Sequence, residues 1–267
     1  MLCDFHLHTK MSYDSEADID EVICTAISKG MKYMAVTDHH DFDLDDGVFE
    51  QKNPKEYFNT IYGFKEKYSD KINVSVGIEL GVEACQAKRL YEFTSLCPFD
   101  FIIGSIHGVD GLDPYYDNYW KGLTAREGVE KYLDAIIDSL KVYDNFDVFG
   151  HIDYVIRYVA DEALRQYSYS DYQDKLDTIL HRIISMGKGI EINTGGLRKG
   201  LHSTNPCEEV IKKYREYGGK IITIGSDAHT PADIGADFDT AKEILLRCGF
   251  REYCVFEKRK PIFIKLL

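Results

Sequence analysis

Short hydrophobic runs and amphipathic stretches alternate along almost the whole chain, and this alternation limits the possible folds more than any other feature. β-rich runs are predicted at 2–5, 33–37, 72–78, 101–106, 148–150, 189–193 and 220–225, with a last run near 253–264. Helices are predicted between them, at 19–29, 54–68, 124–143, 169–185, 206–217 and 238–247. Repeated βα units of this kind are typical of a parallel barrel. The irregular stretches 41–53, 109–123 and 194–205 follow strands, so they should lie at the carboxyl face, where barrels hold their active sites.

The alternation is not interrupted by a linker or a low-complexity tract. The chain has 267 residues, only 6 of them proline, and 44% are hydrophobic. Single-domain α/β barrels commonly reach about 200–250 residues. We therefore expect one domain spanning residues 1–267.

Charge and composition exclude several classes of protein. Asp and Glu number 45 against 32 Lys and Arg, which gives a net charge of −13 and no basic surface for a nucleic-acid backbone. The sequence shows neither an apolar leader nor a run of about 18 apolar residues, so we expect no membrane partner and a cytoplasmic location. The 7 scattered cysteines contain no C-x-x-C pair and are predicted to be reduced.

Most of the histidines close predicted strands, together with several acidic residues. His6 and His8 end the first strand two residues apart, so strand alternation places both imidazoles on one face. The other polar strand ends are Asp38-His39-His40, Glu79, His107, His151 with Asp153, Glu191 with Asn193, and Asp227 with His229. A single histidine there is more often a hydrogen-bonded rim residue, but the repeated placement predicts a metal centre. His181 falls within a helix, outside this series.

The strand-end motifs resemble those of the polymerase-and-histidinol-phosphatase (PHP) superfamily. The matching motifs are His6-Leu-His8-Thr, Thr-Asp38-His39, Gly-Ile-Glu79, Gly-Ser-Ile-His107, Gly-His151 and Ser-Asp227-Ala-His229. The resemblance covers essentially the whole chain. It implies a distorted (β/α)7 barrel with a trinuclear metal site at the carboxyl ends of the strands.

The resemblance also implies how three divalent ions would be shared. One ion would be bound by His6, His8, Glu79 and Asp227; a second by Glu79, His107 and His151; and a third by Asp14, His39 and His229. Asp14 could equally lie in a surface turn, and the doubled histidine leaves His39 and His40 as alternatives. Zinc, iron and manganese all suit such a mixed ligand set.

Within the superfamily, the segments 150–157 and 191–199 are similar to the histidinol-phosphate phosphatase branch. This similarity implies hydrolysis of L-histidinol phosphate to L-histidinol and phosphate, in histidine biosynthesis. Two divalent ions can bridge the attacking hydroxide and hold the phosphoryl oxygens, with Glu79 as the bridging carboxylate.

Further residues are predicted to contact a small phosphomonoester substrate. Arg157 and Arg198 can bind phosphate oxygens through their forked guanidinium groups, and the preceding Gly-Gly favours Arg198. Asp153 or a site histidine would protonate the leaving group. The loop aromatics, Tyr116 among them, could stack on an imidazole, and His202 is either a substrate contact or a surface residue.

Three other functions remain open at this stage. The first is a PHP phosphoesterase of other specificity, acting on phosphotyrosine protein, a nucleotide or a general small phosphomonoester. A metal-dependent hydrolase of the amidohydrolase type is a more distant alternative, because it gives the arginines no role. A metal-binding barrel without turnover is the third.

Overall fold

Eight short parallel strands form one sheet in the computed structural model, which describes residues 3–266. Leu2, the first residue of the predicted first strand, lies outside that range. The strands are β1 (Cys3–Asp4), β2 (Tyr33–Val36), β3 (His39–His40), β4 (Asn73–Gly81), β5 (Phe101–Ser105), β6 (Val148–Phe149), β7 (Gly189–Asn193) and β8 (Ile222–Gly225). Their order is β1-β2-β4-β5-β6-β7-β8, and β3 also pairs with β4.

The sheet closes on itself between its first and last strands. The Phe5 amide donates to the Ile224 carbonyl, and the His8 amide donates to the Ala228 carbonyl, each at 2.9 Å. Because β2 and β3 both pair with β4, they occupy one strand position, and the barrel has seven positions in all. The predicted (β/α)7 barrel is confirmed.

Helices surround the barrel and pack their apolar faces against it. They are α1 (Ile19–Ser28), α2 (Pro54–Lys67), α3 (Ala87–Thr94), α4 (Asp117–Trp120), α5 (Ala125–Val142), α6 (Gln173–Ser185), α7 (Gly195–Arg198), α8 (Glu208–Glu216) and α9 (Phe238–Arg247). The sequence predicts six of these nine and misses α3, α4 and α7, each of eight residues or fewer. Among residues 3–266, none of the helices has the length and apolarity needed to cross a bilayer.

One helix begins later than its proline suggests. The sequence predicts a start at Pro206, but α8 begins at Glu208. The reason is that Asn205 pairs with Asn193 at the end of β7, through two backbone hydrogen bonds of 2.8 and 2.9 Å. This pairing keeps the chain extended and, as described below, brings the Asn205 side chain beneath the site.

The last predicted run forms a hairpin instead of a barrel strand. In the described range 3–266, strands β9 (Glu252–Glu257) and β10 (Lys260–Lys265) pair only with each other. The hairpin lies across the amino ends of the barrel strands, where the Ser75 hydroxyl donates to the Phe256 carbonyl at 2.7 Å. The Phe256 ring lies 5.0 Å from the Phe101 ring inside the barrel. The amino end is therefore closed, and the carboxyl end carries the accessible cavity.

Candidate metal centre

Histidines from four different strand ends surround the carboxylate of Glu79, which is fully buried at the carboxyl end of β4. Glu79 Oε2 lies 3.0 Å from His6 Nε2 and 3.1 Å from His39 Nδ1. Glu79 Oε1 lies 3.2 Å from His107 Nε2 and 2.9 Å from His151 Nε2. Parallel strands bring their carboxyl ends to one face of the barrel, so residues up to 145 positions apart in sequence meet at this carboxylate.

The remaining predicted ligands extend this cluster towards the cavity mouth. Four overlapping groups have ligand atoms close enough to share an ion: His6, His8 and Asp227; His6, Glu79 and His151; His39, Glu79 and His107; and His8, His39 and His229. Asp14 Oδ2 lies 3.0 Å from His229 Nε2 and 3.6 Å from His39 Nε2. The structure thus brings all nine predicted ligands together.

Several buried atoms at the centre of the cluster lack a hydrogen-bond partner, which is the observation that tests whether a metal fits. Within the described chain these atoms include His6 Nε2, His8 Nε2, His39 Nδ1 and Glu79 Oε2. A buried polar atom left unpaired costs about 1–3 kcal/mol, so four such atoms in one place call for a shared partner. Imidazole nitrogens and carboxylate oxygens are ligands of divalent transition metals. The donor set therefore fits a metal centre.

Outer hydrogen bonds fix which ring nitrogen of His6 and of His107 faces inwards. His6 Nδ1 lies 2.7 Å from Glu191 Oε1, and His107 Nδ1 lies 2.8 Å from Asp41 Oδ1. Each Nδ1 is turned to the outer carboxylate, so each Nε2 faces the centre. Carboxylates that orient metal-binding histidines in this way are a general feature of such sites.

The two central carboxylates stay ionised. Burial opposes the charge of Glu79, but the charges of His6, His107 and His39 outweigh it and hold the pKa of Glu79 well below its ordinary value. Burial likewise opposes the charge of Asp227, and His6, His8 and Arg157 hold its pKa well below normal. Both groups are thus in the form that binds a cation.

Of the adjacent pair His39 and His40, His39 faces the metal-ligand cluster and His40 lies outside it. His39 points to Glu79 and Asp14, as described above. His40 points away: its ring stacks on Phe93 at 3.6 Å, and its Nδ1 accepts a hydrogen bond from the Gln51 amide. Burial lowers the pKa of His40 to about 4, so the ring is neutral. This geometry favours His39 as the ligand.

A cavity of about 420 Å³ lies directly above the cluster. Its lining includes the outer faces of His39, His107, His151, Asp227 and His229. The rest of its lining includes Asp14, Asp41, Asp45, Phe49, Asp113, Tyr115, Tyr116, Tyr154, Arg157, Tyr158 and Lys199. The predicted contact Tyr116 is at the rim, where its hydroxyl donates to Asp45 Oδ2 at 2.8 Å.

Of the two predicted phosphate arginines, the structure places Arg157 in the cavity. Arg157 is buried, and its guanidinium donates to Asn205 Oδ1 at 2.8 Å, to Asp227 Oδ2 at 3.1 Å and to Asn193 Oδ1 at 3.1 Å. Arg157 thus forms a buried ion pair with Asp227 in the cavity wall.

Arg198, which the sequence favoured, does not line the cavity. It ends the short helix α7, which carries its side chain away from the cavity towards the chain after β8. There it donates to the Ser226 carbonyl and lies 3.5 Å from Asp233 and 3.7 Å from Asp237. This placement fits a role in fixing the loop after β8 and does not fit direct phosphate contact.

Asp153 and His202 also lie outside the cavity. Asp153 is buried beneath it, where its carboxylate accepts from Asn205 Nδ2 at 2.5 Å, from the Tyr167 hydroxyl at 2.8 Å and from the Cys207 amide at 3.1 Å. Both oxygens are occupied, which does not fit the predicted proton donor; instead Asp153 positions Asn205, and through it Arg157. His202 is exposed, in a separate depression beside Arg165.

Sequence reasoning missed several cavity residues. Asp41 follows the doubled histidine, and its carboxylate orients His107. The other missed residues lie in short segments without a periodic pattern: Asp113 and Lys199 in loops, and Tyr154 and Tyr158 in a 3-10 helix. The structure shows that Asp41 needs a glycine at position 81 in the facing strand, because a Cβ there would overlap the Asp41 carboxylate.

The fold and the site together define a parallel β/α barrel with a metal centre at the carboxyl ends of its strands. The PHP domain family model matches residues 4–195. The chain belongs to the PHP family, in its histidinol-phosphatase branch.

Two relatives are similar over nearly their whole length. A histidinol-phosphatase of Lactococcus lactis is 28% identical over 96% of this chain and 95% of its own. A probable histidinol-phosphatase of Clostridium acetobutylicum is 33% identical over 97% of this chain and 98% of its own. The crystal structure of the Lactococcus lactis histidinol phosphate phosphatase, complexed with zinc, L-histidinol and phosphate, superposes with a TM-score of 0.88, covering 97% of this chain and 98% of that one.

Proposed function

We propose that this protein is a metal-dependent phosphatase that hydrolyses L-histidinol phosphate to L-histidinol and phosphate. The observation that carries the proposal is the cavity itself, which joins a cluster of unpaired metal-ligand atoms to a buried arginine. The relative with the same fold at a TM-score of 0.88 holds zinc, L-histidinol and phosphate. A small phosphomonoester, and neither a nucleic acid nor a membrane, is the proposed partner, and the expected cytoplasmic location stays a prediction.

The proposed centre holds three divalent ions on the nine residues grouped above. His6, His8, Glu79 and Asp227 would hold the first, Glu79, His107 and His151 the second, and Asp14, His39 and His229 the third. Zinc, iron and manganese remain the proposed ions, and the zinc in the Lactococcus lactis enzyme supports the first of them. Bound divalent ions would supply an activated water at neutral pH and offset the negative charge of the phosphoryl group.

The chain's own groups orient the phosphate. The Arg157 guanidinium is held on three sides by Asn193, Asn205 and Asp227, so its planar face is fixed at the cavity wall before substrate binds. Fixed cationic donors favour the transition state because they do not reorganise during the reaction. Lys199, exposed at the same cavity, adds a second positive charge near its mouth.

Phosphate release from a panel of substrates tests the proposal. The protein is loaded with zinc, manganese or iron and assayed on L-histidinol phosphate, a phosphotyrosine peptide and a nucleoside monophosphate, with metal content measured on the same samples. We expect kcat/KM for L-histidinol phosphate to exceed the others by about 100-fold or more, because a site with matched polar groups rejects substrates that leave those groups unpaired. Equal rates across the panel would favour a general PHP phosphoesterase, and bound metal without turnover would favour a non-enzymatic barrel.

His107→Ala is the matched variant for this assay. It removes an imidazole that faces Glu79 and should lower both metal content and turnover. His181→Ala is its control, because His181 lies on α6, stacked on Tyr217 away from the cavity. Full activity of His107→Ala would refute the second metal position as drawn.

A further inference from the structure

The cavity has two chemically distinct ends. The inner end carries the metal-ligand cluster and Arg157, and it suits the phosphate. The outer end carries four tyrosines, Tyr115, Tyr116, Tyr154 and Tyr158, and the carboxylate of Asp113. Phosphate binding gives no role to a carboxylate at that end, because it would repel the anion.

Asp113 is held in place by its neighbours, and among residues 3–266 its Oδ2 has no hydrogen-bond partner. Its Oδ1 accepts from the Tyr115 amide at 2.8 Å and from the Tyr154 hydroxyl at 3.4 Å. Among residues 3–266, no lysine, arginine or histidine forms an ion pair with it within 4 Å. The side chain is therefore an oriented, half-buried carboxylate in the cavity wall without a cation of its own.

Tyr154 fixes the distance between this carboxylate and the metal cluster. Its ring lies 5.5 Å from the His107 ring and 5.2 Å from the His151 ring, and its hydroxyl reaches Asp113. The Tyr154 side chain therefore spans the space between the metal-ligand histidines and Asp113. A small phosphomonoester with a positively charged group a few bonds from its phosphate would bring that group to Asp113.

We propose that Asp113 binds the protonated amine of the substrate and so selects amine-bearing phosphomonoesters. This assignment rests on the proposed function, since L-histidinol phosphate carries such an amine. Tyrosine rings add to the same preference, because an ammonium group is attracted to an aromatic face. Burial raises the pKa of Asp113 to about 6, and a bound cation would favour its charged form.

Asp45 is the other carboxylate at this end, and it is less suited to the role. It is exposed, and its Oδ2 accepts from the Tyr116 hydroxyl at the rim. It also lies in the 3-10 turn Leu44–Gly47 and has a φ of 49°. Asp113 is deeper and turned towards the tyrosines.

The test pairs one substitution with two substrates. Asp113→Asn keeps an oxygen that can accept from the Tyr115 amide and removes only the charge. It is assayed with L-histidinol phosphate and with its deamino analogue, 3-(imidazol-4-yl)propyl phosphate. We expect kcat/KM for L-histidinol phosphate to fall about 10- to 100-fold, chiefly through KM, because charge-assisted hydrogen bonds are the strong ones. The analogue should change by less than about 3-fold, since it has no amine to lose.

Asp110→Asn is the control on the same loop. Asp110 is exposed, forms an ion pair with Lys131 at 3.0 Å and does not line the cavity. Its φ of 55° is one that asparagine tolerates. Equal losses on the two substrates in Asp113→Asn, or an unchanged KM for L-histidinol phosphate, would overturn the assignment. A wild-type protein that does not hydrolyse L-histidinol phosphate would overturn the proposed function as well. Failure of the proposed function is thus detected in the wild-type protein, and failure of the Asp113 assignment in the variant.

Discussion

At the scale of single residues, Glu191 shows how strongly the centre depends on groups behind the ligands. Its Oε1 accepts from His6, and its Oε2 accepts from the His151 amide at 3.2 Å and from Asn193 Nδ2 at 3.1 Å. In Glu191→Gln the new amide nitrogen cannot accept, so at least one of these bonds is lost. We expect metal affinity to fall about 10- to 100-fold, as is typical when an outer partner of a metal ligand is removed.

Metal titration of the apo protein measures this effect. Glu208→Gln provides the control, because Glu208 of α8 forms a surface ion pair with Arg247 of α9 and does not line the cavity. Wild-type affinity in Glu191→Gln would mean that the metal itself fixes the His6 ring.

Arg157 allows a second test at this scale. In Arg157→Lys the charge remains, but one ammonium replaces a planar fork that contacts Asn193, Asn205 and Asp227 together. We expect kcat/KM to fall about 10- to 100-fold with metal content unchanged, because the transition state would be stabilised less. Steady-state kinetics beside metal analysis separate the two effects; a parallel loss of metal would indicate that Arg157 mainly stabilises Asp227.

The sequence predicts the inner residues of the site better than the outer ones, for a physical reason. His6 and His8 stand two apart at a strand end, and strand alternation predicts that both lie on one face. The direction of Arg198 depends on α7, a helix of four residues, and that of Arg157 depends on Asn205, which is 48 residues away. Such directions are set by loop packing and leave no periodic pattern in the sequence.

At the scale of secondary-structure elements, strand β8 has no room for a side chain at Gly225. A Cβ there would overlap Glu191 Oε1 and His6 Cβ. Gly225→Ala should therefore lower the free energy of unfolding by about 1–3 kcal/mol, the usual cost of overpacking a closed core, and should lower metal content by displacing Glu191.

Gly63→Ala is the matched substitution in a helix. Gly63 lies in the interior of α2, and a Cβ there meets no atom within 4 Å. Alanine should raise the free energy of unfolding by up to about 1 kcal/mol through helix propensity. Urea denaturation of both variants measures the difference, and equal effects would contradict the close packing around Gly225.

The hairpin β9–β10 shows why one element was assigned incorrectly from the sequence. Its two-residue turn is Lys258-Arg259, and both residues have positive φ, 50° and 62°. Turns of this type usually carry asparagine, aspartate or glycine, and Lys-Arg gives no such signal. The segment near 253–264 therefore resembles one strand in the sequence. The structure shows that it forms two strands, packed across the amino end of the barrel.

At the scale of the whole molecule, metal binding and folding are coupled through the buried cluster. Nine ligand side chains from six of the seven strand positions, or from the loops after them, meet there, and several of their atoms have no hydrogen-bond partner among residues 3–266. A ligand that binds only the folded state stabilises it by about 4 kcal/mol at 1,000 times its Kd. For a chain of this size each kcal/mol shifts Tm by about 2–4 °C. Removing the metal should therefore lower Tm by about 10 °C.

Calorimetry with and without a chelator measures this shift. The control is the same chelator already saturated with zinc, which adds the same solute without stripping the protein. Restoring zinc or manganese to the stripped protein should return both Tm and phosphatase activity, because the outer partners Glu191 and Asp41 still hold the histidine rings in place. A Tm that stays constant while metal content falls to zero would mean that water satisfies the cluster equally well, and that metal serves catalysis alone.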